Sequence, residues 1–487
     1  MQRKGNRGLG LLCLASMAIW AITLLISDAA LEYKLMVGFR DLVVLGVASL
    51  LINWAKENLA LAIGLSIGIL FFLNQIYLPV LKGTFAKVPA TINEVDSNAE
   101  LILDLKPEKR EALQQFAESH HLTLVQMLQP AYPDQTTLDE WYTLDVPKDS
   151  KLSLEGVMKD LVSKGLVDWV ELNEMIQLSP IESDQKAISD NYKTGYFGVN
   201  DPDATKLWSF EVLKVPELHK MLKSPLMQPK KKSLIAVLDT GVDGAHEDLT
   251  DNFVSTADSY NRDVQGHGTH VAGIIGAVTN NNVGIASMTT DARFFSITSI
   301  KVLSDFGFGT QAGIIKGMIE AADLGADVIS MSLGGPSNEE KQNAYTEAVA
   351  YCLDKGSIVV VAAGNSSANA KSFTPANVDG VIAVSAIDEN LSKASFSNTI
   401  QDLKMGIAAP GDNIYSTFPK NKYKSQRGTS MAAPFVSSVL GLMRAMDPDI
   451  TAKEAYKILE GTGISSKDAK ETGKIIQPSA ALQSLLD

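Results

Sequence analysis

Leu234-Ile235-Ala236-Val237-Leu238-Asp239-Thr240-Gly241 is the stretch on which the fold turns. Five consecutive apolar residues, without the alternation of a half-exposed strand, read as a parallel strand buried on both faces. Its carboxyl end carries Asp239, and strand ends of this kind are where open α/β sheets place their sites. The turn Gly241-Val242-Asp243-Gly244 can bend sharply because its glycines tolerate positive φ. Asp-Thr-Gly also serves aspartic peptidases, but two facing loops must then share one proton. The chain has one such loop.

Further along, Gly266-His267-Gly268-Thr269-His270-Val271-Ala272-Gly273 opens a small-residue helix. Glycine on either side of His267 leaves an imidazole face open, and histidine is the usual general base near neutral pH. His267 and His270 lack the Glu and the i, i+4 spacing of zinc peptidase helices, so His270 is expected to be a packed structural residue. Gly428-Thr429-Ser430-Met431-Ala432-Ala433-Pro434 precedes an apolar stretch, which puts Ser430 at a helix start and Pro434 in its first turn. Asn365, in Ala362-Ala363-Gly364-Asn365, follows a buried strand, where its amide can donate to an oxyanion. Residues 329–335, Ile-Ser-Met-Ser-Leu-Gly-Gly, read as a strand whose edge can pair with an extended peptide.

Together these segments resemble the subtilisin-type serine peptidases over residues 200–487. The chain order Asp, His, Ser is that of subtilisin, and the segment 428–432 lacks the last glycine of a hydrolase nucleophile elbow. The resemblance implies a three-layer α/β domain with a mostly parallel sheet. It implies a serine endopeptidase that hydrolyses protein or peptide substrates through an acyl-enzyme, with no cofactor needed for the chemistry. Asp239 would orient His267, which takes the proton of Ser430; Asn365 and the Ser430 N–H would hold the oxyanion. Ser332, Leu333 and Gly334 would pair with substrate, and Ala363 and Gly364 would line the pocket before the scissile bond. Asp248 and Asn280-Asn281-Asn282 resemble part of the family's calcium loop, with oxygen ligands that suit a structural calcium; a solvated Asn-rich turn is the other reading of the same residues. Residues 366–373 look shorter than usual and hold no acidic residue, which disfavours a preference for basic side chains.

Ahead of this domain, residues 98–180 alternate as strand 101–105, helix 108–119, strands 122–128 and 141–146, helix 154–164 and a final strand 166–178. The order βαββαβ is ferredoxin-like α+β. It resembles the inhibitor propeptide of subtilases, an intramolecular partner whose tail lies in the active-site cleft. Residues 181–199 then form the linker expected to carry an autocleavage site.

Residues 1–82 contain apolar runs at 9–26 and 59–81, and a weaker one at 35–54 interrupted by Arg40 and Asp41. They read as a membrane anchor of two or three transmembrane helices. Arg3, Lys4 and Arg7 favour an inside N-terminus. Three spans place the peptidase on the outer side of a bacterial inner membrane, the expected location, whence a cleaved mature domain could leave; two spans place it in the cytoplasm. The net charge of −13 lies mostly beyond the anchor and argues against a nucleic acid partner. Lys230-Lys231-Lys232 reads as a solvated strand entrance. Cys13 and Cys352, the two cysteines, are expected to stay unpaired. The alternative reading is a catalytically inactive membrane-bound binding or inhibitory module on a protease scaffold.

Overall fold

The computed structural model describes residues 99–178 and 197–486, apart from 132, 134–135, 148–149, 151 and 338–341. The expected anchor, the linker and Cys13 lie outside the described residues. Among the described residues no helix is long and apolar enough to cross a membrane.

The small domain comes first in the chain. Strands β1 (Leu101–Leu105), β2 (Thr123–Gln126), β3 (Trp141–Asp145) and β4 (Val167–Leu172) form an antiparallel sheet in the order β2-β3-β1-β4. Helices α1 (Arg110–Ser119) and α2 (Leu154–Ser163) complete the ferredoxin-like order. Strand alternation divides β1 between two cores. Leu101, Leu103 and Leu105 pack with Leu113, Phe116, Val157 and Leu161, whereas Ile102 joins a core shared with the following domain. The expected last strand, 166–178, is broken. It ends at Leu172, and β5 (Met175–Gln177) leaves the sheet. Asn173 makes the break: its amide donates to Ala99 O at 2.8 Å and accepts from Ala312 N at 3.0 Å, so it ties both domains.

The larger domain is built on β6 (Ser233–Asp239), the strand anticipated from its apolar run. Beside it lie β7 (Phe295–Lys301) and β9 (Val328–Met331), then β10 (Ile358–Ala362), β11 (Ile382–Ile387) and β12 (Gly406–Pro410), all in parallel pairing. Two short pieces, Lys474–Ile475 and Ile464–Ser465, extend the sheet to eight strands, and the final pair is antiparallel. Ile235 and Val237 face one core and Ala236 and Leu238 the other, which is why the run shows no polar alternation. Helices α3 (His267–Gly276) and α6 (Thr429–Met446) cover the first face; α4 (Gln311–Asp323) and α5 (Asn343–Asp354) cover the second. All of α6 is buried, so it is a core helix rather than one with a solvent face. Cys352 is buried and unpaired. Lys231 is more than a solvated entrance: it forms an ion pair with the buried carboxylate of Asp327.

The sheet core predicts a contrast measurable by denaturant unfolding in a Ser430→Ala background, which prevents self-digestion. Ile235→Ala, at a fully buried position, is expected to cost about 2–5 kcal/mol. Ile464→Ala, 38% exposed at the sheet edge, should stay within about 0.5 kcal/mol.

Candidate active site

Asp239 ends β6 with no exposed surface, so its carboxylate must be satisfied from within. Thr240 N donates to Oδ1 at 2.7 Å, and His267 Nδ1 lies 2.9 Å from each carboxylate oxygen. Such close seating of the helix on the strand end requires Gly268. A Cβ there would stand 2.1 Å from Gly241 O and 3.1 Å from Asp239 Cβ. Burial by itself pulls the imidazole's pKa down; the charge and hydrogen bond of Asp239, with help from Asp263, outweigh it and leave His267 above the ordinary histidine value. The side chain is only 5% exposed, so the face expected to be open is covered here.

Ser430 is the second residue of α6, as anticipated, but Pro434 is its sixth and lies inside the helix. Proline has no N–H to give the carbonyl four residues back, which is that of Ser430. Ser332 Oγ supplies the missing donor at 2.8 Å. In return the Ser430 hydroxyl donates to Ser332 O at 3.1 Å, so in this structure its proton rests on a backbone carbonyl. Ser332, read as part of a strand, lies just past β9; its two bonds to Ser430 hold it there.

Asn365 is oriented by the residue before the nucleophile candidate. Its Oδ1 accepts from Thr429 N at 2.8 Å and from Thr429 Oγ1 at 2.9 Å. That assignment leaves Nδ2 as the end able to donate to a substrate. Gly364, at φ +102°, allows the turn, and a Cβ would lie 2.4 Å from Asn398 Nδ2. Ser332, Leu333, Gly334, Gly364, Asn365 and Ser430 line one cleft of about 280 Å³. Ala363 is one residue off this lining: its side chain is buried with Ala370 and Ile400, while Ala362 faces the cleft.

Sequence reasoning missed three participants. Asp263, buried, accepts from Thr240 Oγ1 (2.9 Å), Gly266 N (2.8 Å), Thr269 N (2.9 Å) and Thr269 Oγ1 (2.8 Å). It thereby ties the Asp239 turn to the start of α3; a lone acid three residues before Gly266-His267 was the available signal. Strand β8 (Phe308–Thr310) pairs antiparallel with β5, and Leu178 N donates to Gly307 O at 2.9 Å. Phe373 lines the cleft as well. The tail Met175, Gln177 and Leu178 thus lies in the same cleft as Ser430.

His270 is structural, as expected: it bonds the Lys424 carbonyl at 2.9 Å, and burial pushes its pKa down to about 3. Asp248 and Asn281 do meet. Asp248 accepts from Asn281 Nδ2 (2.9 Å) and Ile285 N (2.9 Å), and Asn281 Oδ1 accepts from Val283 N (2.8 Å). Each of these oxygens keeps a lone pair beyond its N–H donor, so the set is compatible with the oxygen ligands calcium takes. Among the described residues no group of three or more His, Cys, Asp or Glu is arranged to hold a metal.

A carboxylate–imidazole pair, a hydroxyl at a helix start and an oriented amide are the groups a serine hydrolase uses, and Ser430 and Asn365 line one cleft. Residues 230–474 match the model of the subtilase family. The chain is 40% identical over 257 residues to subtilisin DY of Bacillus licheniformis, covering 51% of this chain and 90% of that protein. It is 44% identical over 214 residues to thermitase of Thermoactinomyces vulgaris, covering 43% of this chain and 74% of thermitase. A solved protease from Pseudoalteromonas arctica aligns with TM-score 0.52 and 28% identity, over 59% of this chain and 99% of its own. The chain belongs to the subtilase family and is a serine endopeptidase of the subtilisin type.

The raised His267 pKa has a kinetic consequence. The imidazole must be neutral to accept a proton, so kcat/KM should fall as pH drops through a value above about 6.5. Asp239→Asn should lower kcat roughly ten-thousand-fold, the scale known for a triad aspartate, and move the residual acid limb to lower pH. Rates on a chromogenic peptide between pH 5 and 9 check both.

Proposed function

We propose that this endopeptidase is made as a membrane-tethered zymogen, with the ferredoxin-like domain as its own inhibitor. The observation that carries the reading is β5, an extended segment hydrogen-bonded to β8 whose continuation, Leu178, lines the cleft with Ser430. Main-chain pairing of this kind is how a groove holds a peptide substrate. A tail tied to a docked domain holds the groove at high local concentration.

In the proposed mechanism the Ser430 hydroxyl swings from Ser332 O to the neutral imidazole of His267. The oxygen attacks the substrate carbonyl as His267 takes its proton, and Asp239 stabilises the imidazolium. Asn365 Nδ2 and the Ser430 N–H, one of the unpaired donors at the start of α6, hold the oxyanion. His267 then protonates the leaving amine, and water releases the acyl group from Ser430 by the reverse proton route. The substrate is a protein or peptide in extended form, bound by β8 and by residues 332–334.

Cleavage between Leu178 and Asn200 would separate the enzyme from the anchor in residues 1–82. With three spans this releases a fragment of about 290 residues outside the inner membrane.

Mass spectrometry of wild-type and Ser430→Ala protein from separated membrane and soluble fractions tests the reading. The wild type should yield the soluble fragment, and Ser430→Ala should remain full-length in the membrane. A full-length wild type that still digests casein would rule out processing. Asn365→Ala should cut kcat about 100- to 1000-fold, the size known for loss of one oxyanion donor in subtilisin, with KM nearly unchanged.

A further inference from the structure

The face that the small domain turns to the peptidase is rich in acids. Asp104, on β1, is 8% exposed and sits between Trp141 and Trp169 of the neighbouring strands. Those two rings meet edge-on, 4.9 Å apart at 85°. Trp169 Nε1 crosses the interface to Glu347 Oε1 of α5 at 2.8 Å. Glu171, 2% exposed, accepts from the first N–H of α5, that of Asn343, and from Gln311 Nε2 at 3.3 Å. The charges acting on Asp104 are Glu347 from α5, Asp168 from β4 and Glu140 before β3, all negative. Glu171 and Asp168 act in turn on Glu347, and Glu171 and Glu174 face Tyr345. Lys106 and Arg110 offset two of these acids, lying 3.7 Å from Asp168 and 2.7 Å from Glu140. The acids are not arranged to hold a metal ion. For Asp104, Glu347 and Glu171, uptake of a proton on burial is a means of neutralisation.

We propose that docking of the small domain is proton-linked: the interface closes over Asp104, Glu347 and Glu171, which take up protons as they are buried, so the inhibitor binds tightly in acid and loosens towards alkaline pH. This rests on the reading of that domain as the enzyme's inhibitor and adds its regulation. Burial first, then Glu347, Asp168 and Glu140, push Asp104 up to about 7. Burial first, then Glu171 and Asp168, raise Glu347 against the Trp169 hydrogen bond, and burial raises Glu171 against its own donors. The sign follows. A carboxyl whose pKa is higher docked than free holds a proton in the complex where the separated domain holds none. Affinity is therefore full below the ordinary carboxylate value and is lost as pH rises through the window up to about 7. Each such group weakens docking by up to about tenfold per pH unit in that window. Part of the burial of Asp104 belongs to the small domain alone, so a total loss of about tenfold or more between pH 5 and 8 is expected.

The test uses full-length Ser430→Ala protein and hydrogen exchange at the amides of 175–178, corrected for the intrinsic pH dependence of exchange. Protection should fall about tenfold or more from pH 5 to pH 8, and Asp104→Asn and Glu347→Gln should each flatten that fall. Equal protection at both pH values overturns the proposal, as does a fall unchanged in both variants. Where Asp104→Asn unfolds the small domain, seen as lost protection in α1, Glu347→Gln on the peptidase helix decides alone. Activity of freshly purified wild-type protein on a short peptide, corrected for the fraction already cleaved and for the pH profile of the processed enzyme, separates the two readings. If opening follows pH while activity does not, the proton link stands and the inhibitor assignment fails.

Discussion

A carboxylate with no access to water, placed at the end of a strand buried on both faces, is the constraint around which this molecule is arranged. An isolated ionised group in that position would cost several kcal/mol. Asp239 tolerates it because Thr240 N and the His267 ring supply donors from two directions. Meeting that demand fixes much else. Gly268 must lack a side chain for α3 to start against the strand, and Asp263 locks the Asp239 turn to the same helix start through four hydrogen bonds. The Nδ1 contact with Asp239 favours the tautomer whose Nε2 can accept a proton.

A second set of unsatisfied groups explains why the small domain fits where it does. The first N–H groups of α4 and α5 have no partners within their own helices. For α4, Thr310 Oγ1 takes Gly313 N, while Asn173 Oδ1 and Glu174 O take Ala312 N and Gln311 N. For α5, Glu171 takes Asn343 N. These contacts fall just before β5, so the docking of two helix ends sets the register at which the tail enters the cleft. A carboxylate at a helix N-terminus is also favoured by the helix dipole. For Glu171 burial outweighs these donors, and its pKa is raised all the same.

The larger sheet and the candidate site were legible because their chemistry is local. An unbroken apolar run needs both faces covered, and the Asp, His and Ser motifs carry glycines or small residues at points of close approach. Less was legible where a residue's role depends on a distant partner. Asp263 has no motif of its own, and its donors come from Thr240 as well as from the helix start. Strand β8 is three residues long and is a strand only because β5 pairs with it. Residues 166–178 read as one strand because nothing local announces that Asn173 will bond Ala312. Pro434 was placed a turn too early, and with it went the signal that Ser430 O would need an outside donor.

The account stands on the coupling between Asp239 and His267, and the His267 imidazole reports it directly. In full-length Ser430→Ala protein labelled with 15N-histidine, NMR titration of that ring should give a pKa above the ordinary value of about 6.5, with a low-field Nδ1 proton, and Asp239→Asn should bring it below. A ring that titrates at or below the ordinary value, or one unmoved by Asp239→Asn, would contradict the account.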